Sequence, residues 1–167
     1  MSISAAVLPE YDHETSVTRT VLSRVPDEHA TWRPHPKSYS LGDLSAHIAN
    51  LLTWIGPTLS ETELDLNPPG GTGWVPPKYE STAALLTTFD ANVADGRAAI
   101  AGTGDEAFGV PWSLKYGGNV IFTMPRVVVL RSFVLNHLIH HRGQLGVYLR
   151  LLDVPVPQIY GPTADEP

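Results

Sequence analysis

The chain has 167 residues, of which 43% are hydrophobic and 17% are charged. A chain of this length can bury a proper core, and we expect residues 1–167 to form a single domain. Acidic residues outnumber basic ones by 17 to 11, which gives a net charge of −6. Binding to nucleic acid or to an anionic membrane needs clustered positive charge, so neither partner is expected.

No cysteine is present, which excludes disulfides, thiolate nucleophiles and zinc sites built from cysteine. Residues 1–14 contain neither a basic stretch nor a long apolar stretch, so they do not resemble a secretory signal. The longest aliphatic run, Val127–Leu130, is far too short to span a bilayer. We therefore expect a cytoplasmic protein.

Two helices are predicted in the first half of the chain. The first covers about residues 5–24 and ends before Pro26. The second covers about residues 41–60, with Ser40 as its N-cap. Its buried face is indicated by apolar residues at helical spacing: Leu41, Leu44, Ile48, Leu51, Leu52 and Ile55. Residues 64–77 are rich in Pro and Gly and predict a long loop.

The second half is predicted to contain two more helices with a hairpin between them. The third helix covers about residues 81–101. Residues 108–114 and 120–123 resemble two strands joined by a Gly-rich turn. The fourth helix covers about residues 124–152, with Pro125 in its first turn. Four amphipathic helices indicate an all-α fold, a four-helix bundle with a short β-hairpin before the last helix.

Two of the seven histidines, His137 and His141, lie four residues apart on the fourth helix. Side chains at this spacing share one face, so two imidazoles can bind a single cation. Apolar residues continue the same row along the helix: Phe133, Val134, Leu145, Tyr148, Leu149 and Leu152. We therefore expect the histidine pair to face the interior of the bundle.

His47 lies on the apolar face of the second helix, between Leu44 and Leu51. Taken alone, it could be a core histidine that is hydrogen-bonded to a neighbour. Three inward histidines, however, would repel one another if protonated and would lack partners if neutral. Because a shared metal ion removes both costs, the spacing favours a divalent metal site at His47, His137 and His141, and the core interpretation stays open.

Other polar residues keep two interpretations. His140 is expected to be exposed or to lie beside the metal ligands. Glu10 and His13 have the spacing of half a carboxylate-bridged di-iron site, but a second such pair is absent, so that site is not expected. Arg142 and Gln144 either contact a substrate or form a buried salt bridge and a hydrogen bond between helices.

Aromatic residues are candidates for the walls of the predicted site. Trp54 and Tyr148 each lie seven residues after a candidate ligand, and either could line a pocket or belong to the core. The Pro/Gly loop, with Trp74 and then Tyr79, could cover the site.

Two segments of the sequence are similar to those of a known family. They are Asn136–Leu145, with the sequence NHLIHHRGQL, and Leu44–Ile48, with the sequence LSAHI. The chain resembles the DinB/YfiT-like superfamily in both segments and in its tail from Val156 to Glu166. A His-Arg-Gly-Gln string with an upstream helical histidine is a fairly specific signal, whereas His-x-x-x-His alone is weak.

The resemblance implies a four-helix bundle of the up-down-down-up type, with one metal ligand on the second helix and two on the fourth. Carried onto this chain, those ligands are His47, His137 and His141. It also implies nickel or zinc as the metal and a homodimer as the assembly. Characterised members include transferases that use low-molecular-weight thiols such as bacillithiol, and a mycothiol-dependent maleylpyruvate isomerase; many members have no assigned activity.

Three neutral imidazoles would leave a bound ion its full charge and open positions, where the pKa of bound water falls toward about 7. Leu138 stands where the zincin motif has a general-base glutamate, so a metal-bound hydroxide or thiolate would be the nucleophile. We expect a metal-dependent enzyme acting on a small molecule, as a thiol S-transferase or a hydrolase. The alternatives are a non-catalytic metal-binding or ligand-sensing bundle and a structural dimer with internal histidines.

Overall fold

Helices make up most of the protein, whose computed structural model describes residues 1–167. The helices are α1 (Ile3–Leu22), α2 (Leu41–Asn50), α3 (Ile55–Ser60), α4 (Thr82–Gly102), α5 (Asp105–Phe108), α6 (Arg126–Val129) and α7 (Asn136–Leu151). The strands are β1 (Glu63–Asp65), β2 (Pro111–Tyr116) and β3 (Asn119–Pro125). None of the helices has the length and apolar character needed to cross a membrane.

Four helices, α1, α2, α4 and α7, enclose the main core. α1 packs against α4 and α7, and α2 packs against the same two helices. The core takes buried side chains from all four, among them Tyr11, Leu44, Phe89 and Leu145. Each of the four predicted helical stretches therefore contains one of these helices, and the up-down-down-up order of the helices stays a prediction.

The predicted second helix is interrupted in its middle. Residues 51–54 form a 3₁₀ turn between α2 and α3. Pro57 explains the break, because proline donates no backbone N–H and its ring clashes with the carbonyl four residues earlier, that of Thr53. Pro57 instead lies in the first turn of α3, where no intrahelical donor is needed. The prediction of a continuous helix over residues 41–60 was therefore wrong.

The predicted hairpin is part of a mixed sheet of three strands. β2 pairs antiparallel with β3, and β1 pairs parallel with β2. Asp65, at the end of β1, accepts hydrogen bonds from the N–H groups of Gly117 and Gly118 at 3.0 and 2.7 Å. The isolated hairpin was therefore a wrong prediction, because three residues of β1 at the start of the expected loop are too few to show a period of two.

The hairpin turn itself is tighter than the sequence suggested. Gly117 and Gly118 have φ values of +61° and +80°. Two positive φ angles are typical of the two-residue type I′ turn, which only glycine and a few polar residues adopt readily. The paired strands therefore extend to Tyr116 and Asn119. Phe108, predicted at the start of a strand, instead ends α5 and is buried.

The last long helix begins later than predicted. Met124 pairs with Trp112 in the sheet, and Pro125 precedes α6 rather than lying in its first turn. Phe122 and Met124 pack against a small apolar cluster around Trp112, so the alternation of a strand continues through Met124. Residues 130–135, between α6 and α7, form a π-helical segment, which is frequent next to functional sites.

A buried ion pair joins α7 to α1. Arg142 and Glu14 are 1% and 5% exposed, and their Nη2 and Oε2 atoms are 2.7 Å apart. Arg142 also donates to the hydroxyl of Thr18, and the Tyr160 hydroxyl donates to the Glu14 carboxylate. Of the two interpretations of Arg142, the structure therefore shows the buried salt bridge, and this pair also holds the C-terminal tail.

We expect Glu14→Gln to destabilise the protein by about 3–5 kcal/mol, because Arg142 is then buried without a counter-ion. The control is Asp90→Asn, which breaks the exposed pair with Arg19 and should cost less than about 1 kcal/mol. Urea denaturation of both variants measures the two losses. Equal losses would contradict the structural role of the buried pair.

Candidate metal centre

Three imidazole rings meet between α2 and α7. α2 carries His47, and α7 carries His137 and His141. One ring nitrogen of each histidine lies within 4.8 Å of those of the other two. The ring centre of His47 is 5.2 Å from that of His137 and 4.6 Å from that of His141. The structure thus brings together all three histidines that the sequence indicates.

The cluster lies at the edge of the core, with one side open to solvent. His141 is buried, whereas His47 and His137 are partly exposed. His137 also lines an open surface depression, together with Phe133, Asn136, His140 and Ser132. A small molecule could therefore reach the histidines from the side of α7.

A hydrogen bond defines the tautomer of His141. Nδ1 of His141 is 2.7 Å from Oε1 of Gln144, and because this oxygen only accepts, Nδ1 carries the proton. The Nε2 atom of His141 therefore carries a lone pair. It lies 2.9 Å from Nε2 of His137, so the two nitrogens are within hydrogen-bonding distance and can share one proton.

A metal ion could take the place of the shared proton, because the third ring, that of His47, adds another nitrogen within reach. Ligand atoms bonded tetrahedrally to zinc at about 2.0–2.1 Å would be roughly 3.3 Å apart. The nitrogens of the cluster, separated by 2.9 Å to at most 4.8 Å, bracket that value. The donor set fits a divalent transition metal; imidazole suits zinc, nickel, copper and cobalt.

The surroundings of the cluster favour neutral imidazoles. Burial, with the neighbouring His141 and His137, lowers the pKa of His47 to about 4. Burial also lowers the pKa of His137 and of His141, although hydrogen bonds to Phe133 and Gln144 act in the opposite direction. Metal ions bind the neutral form of imidazole, so at neutral pH the three rings are in the form that metal binding would need.

Tyr39 covers the cluster from the loop that precedes α2. Its ring stacks on His47, with 5.7 Å between ring centres and 19° between planes, and meets His141 edge-on at 6.5 Å. Tyr148 donates its hydroxyl proton to the Tyr39 carbonyl at 3.3 Å and packs edge-on against Trp32. Sequence reasoning missed Tyr39; its position directly before the N-cap of α2 was the one available signal.

The aromatic residues proposed from the sequence have other surroundings. Trp54 packs against both apolar clusters, so it belongs to the core. The Tyr79 hydroxyl donates to the Asp27 carboxylate, which ties its loop to the chain before α2. Trp74 is half exposed. The aromatic cover of the three histidines therefore comes from Tyr39 and not from the Pro/Gly loop.

The remaining histidine candidates stay outside the cluster. His13 stacks on Tyr160, and the neighbouring Glu10 carboxylate pairs with Arg131. Both side chains therefore have partners of their own within the protein. His140 is exposed and lies beside His141.

The fold and the cluster together define a class, small helical proteins with an all-histidine site between two helices. Residues 10–145 match the sequence model of the DinB superfamily, and the chain belongs to this family. The matched range includes His47, His137 and His141. The family resemblance drawn from the sequence is thereby confirmed.

Known relatives cover most of the chain. YrdA, an uncharacterized protein of Bacillus subtilis (strain 168), is 26% identical over 162 residues, which are 95% of this chain and 89% of YrdA. A DinB-like protein from Bacillus cereus ATCC 10987 has a crystal structure with a TM-score of 0.66, 21% identity, and coverage of 92% of this chain and 95% of that one. The crystal structure of the DinB-like protein YjoA from Bacillus subtilis has a TM-score of 0.70 and 17% identity, and the match covers 92% of this chain and 96% of that one. The two structures show that the fold is shared.

We expect the metal-free protein to lose stability as the pH falls from about 6.5 to about 4. The pKa of His47 in the folded protein, about 4, lies below its unfolded value of about 6.5. Between these values the unfolded chain binds this proton and the folded chain does not, so the free energy of unfolding decreases. With allowance for the solvent that reaches the ring, the loss is roughly 2 kcal/mol.

Urea denaturation of chelator-treated protein at about pH 7 and about pH 4.5 measures this loss. The control is His47→Gln, whose amide cannot titrate, so its stability should depend less steeply on pH. An identical pH dependence in both proteins would contradict the low pKa assigned to His47.

Proposed function

We propose that the protein is a metal-dependent enzyme that acts on a small molecule through a divalent ion held by His47, His137 and His141. The observation that carries the proposal is the convergence of three ring nitrogens, one from each histidine, within 4.8 Å of one another. The Gln144 oxygen holds the proton of His141 on Nδ1, so the Nε2 atom of His141 is an acceptor that is directed at His137. Such a convergence of imidazole nitrogens is the arrangement a shared cation requires.

The surrounding residues would prepare the three rings for the ion. Gln144 holds the proton of His141 on Nδ1. Tyr39 shields the face of His47 from water. The depression beside His137 gives a substrate access. When bound, the ion would supply a Lewis acid that stabilises negative charge on a substrate oxygen or sulfur.

The absence of an acidic side chain from the cluster favours a thiol as substrate. The group of candidate ligands consists of histidines alone, and the buried Leu138 stands where zincins have their glutamate. The carboxylate of Glu14 is already paired with Arg142. A thiol, with a pKa near 8.5, ionises readily beside a cation and needs no strong general base. Free water, with a pKa of about 15.7, depends much more strongly on the ion for its deprotonation. We therefore place transfer of a low-molecular-weight thiol before hydrolysis.

The rest of the proposal follows from family membership and charge. Membership of the DinB superfamily supports nickel or zinc as the metal, a homodimer as the assembly and the up-down-down-up helix order. The net charge of −6 supports a small molecule rather than nucleic acid as the partner. We also propose a cytoplasmic location.

A non-catalytic metal-binding or ligand-sensing bundle is the second candidate. The observation that favours it is the same absence of an acidic side chain, the usual general base, from the clustered residues. Such a protein would bind the metal and respond to a ligand without turnover.

Protein purified without a His-tag should contain about one metal ion per chain, as measured by elemental analysis, because the site has three ligands. Single replacements His47→Ala, His137→Ala and His141→Ala should each reduce the content to a trace. His13→Ala, which removes an exposed histidine that stacks on Tyr160, is the matched control and should keep the metal. A metal-free protein that takes up no zinc or nickel would refute the proposed site.

Thiol chemistry makes a separate spectroscopic prediction. In a cobalt-substituted form, addition of cysteine should shift the d–d bands and add a thiolate-to-metal charge-transfer band, because a thiolate binds the open position. Serine, which differs only in having a hydroxyl, is the control and should leave the charge-transfer region unchanged. An unchanged spectrum with cysteine and other small thiols would argue against a thiol transferase and for the non-catalytic alternative.

A further inference from the structure

Gln144 bridges a candidate metal ligand and an exposed histidine on α7. Its side-chain oxygen is 2.7 Å from Nδ1 of His141, and its side-chain nitrogen is 3.1 Å from Nε2 of His140. We infer that Gln144 is a positioning residue for the metal: its amide holds the proton of His141 on Nδ1 and so keeps Nε2 free to bind the ion. This inference depends on the metal site proposed above.

The orientation of the amide selects between two arrangements of the cluster. In the observed one, Gln144 accepts from His141, and the Nε2 atom of His141 carries a lone pair. If the amide were turned over, its NH₂ group would donate to Nδ1 of His141 and move the ring proton to Nε2. That proton would then lie in the 2.9 Å gap and form a hydrogen bond to His137. The second arrangement removes a ligand, because a protonated Nε2 atom cannot bind an ion.

His140 completes the observed orientation from the outer side. Its Nε2 atom accepts from the amide nitrogen of Gln144 at 3.1 Å. Both ends of the amide are therefore used when the oxygen faces His141. A metal-bound histidine commonly donates its second nitrogen to a fixed acceptor, which sets its tautomer and ring orientation. In this chain the acceptor comes from the same helix, one turn beyond the ligand.

A purely structural role for Gln144 would have different consequences. Gln144 and His140 are both exposed on α7, so their side chains add little to the core. Gln, Glu and Leu have similar helix propensities, and replacing one with another at an exposed site leaves helix stability nearly unchanged. A loss of metal affinity with unchanged stability of the metal-free protein is therefore the signature of positioning.

The test compares Gln144→Leu with Gln144→Glu in the full chain. Leu removes the acceptor, and we expect the Kd for Zn²⁺, measured by chelator competition, to rise by about 10–100-fold. Glu is a matched control that only accepts, so it should keep the affinity of the unaltered protein or increase it. The urea midpoints of the metal-free forms should agree among all three proteins.

A second readout needs no metal. The ¹⁵N shifts of the imidazole rings in the metal-free protein report the tautomer, and we expect His141 to carry its proton on Nδ1 in the unaltered protein and in Gln144→Glu. Gln144→Leu should move the ring toward the Nε2–H form. A proton on Nε2 of His141 in the unaltered protein would overturn the inference.

The outcomes separate this inference from the proposed function. Zinc binding by Gln144→Leu as tight as that of the unaltered protein would overturn the role of Gln144 alone. An equal loss of zinc affinity in Gln144→Glu would also overturn it. So would a lower urea midpoint of metal-free Gln144→Leu, because the loss of affinity would then reflect a loss of stability. Failure of the unaltered protein to bind zinc or nickel would overturn the metal site itself.

Discussion

The rotation of α7 about its own axis is the constraint on which the cluster depends. Arg142 is buried, and its pairing with Glu14 holds one side of α7 against α1. Because successive residues on a helix are 100° apart, fixing Arg142 toward α1 turns His137 and His141 toward α2, where His47 lies. A buried ion pair is weak support for stability, since desolvation opposes it, but it strongly disfavours other orientations of the helix. The tail uses the same pair through Tyr160, so the end of the chain helps to hold the helix that carries two of the three histidines.

The features that sequence reasoning predicted are those with short-range causes. The spacing of His137 and His141 places them on one face of any α-helix, whatever surrounds it. The position of His47 among leucines four residues or fewer away predicted its inward direction. The long helices repeat this pattern over several turns, and the turn at Gly117 and Gly118 depends on two adjacent residues. In each case the determining residues lie within about two helical turns of one another, so no tertiary information is needed.

The features that were missed depend on contacts between distant parts of the chain or on very few residues. β1 is a strand through its parallel pairing with β2, and Asp65 at its end binds the turn some fifty residues later in the chain, at Gly117 and Gly118. Tyr39 is recognisable only once α2 and α7 are packed and the Tyr148 hydroxyl holds its carbonyl. The break before Pro57 has a local cause, because proline interrupts a helix wherever it occurs in the interior. The prediction missed it because it followed the apolar periodicity of residues 41–60. The Gln144 amide could be assigned only after the rings of His140 and His141 were placed.

A site made only of neutral histidines has an energetic consequence. The fold places three ring nitrogens within 4.8 Å of one another, and burial lowers the pKa of all three rings, which disfavours their protonation. An arrangement fixed by packing would lower the cost of binding a metal ion, because the rings and the aromatic cover would need little rearrangement. A ligand that binds only the folded state adds RT ln(1 + [L]/Kd) to its stability. The buried pair of Arg142 and Glu14, which holds α7 in place, therefore also keeps the nitrogens of the cluster directed at a common point.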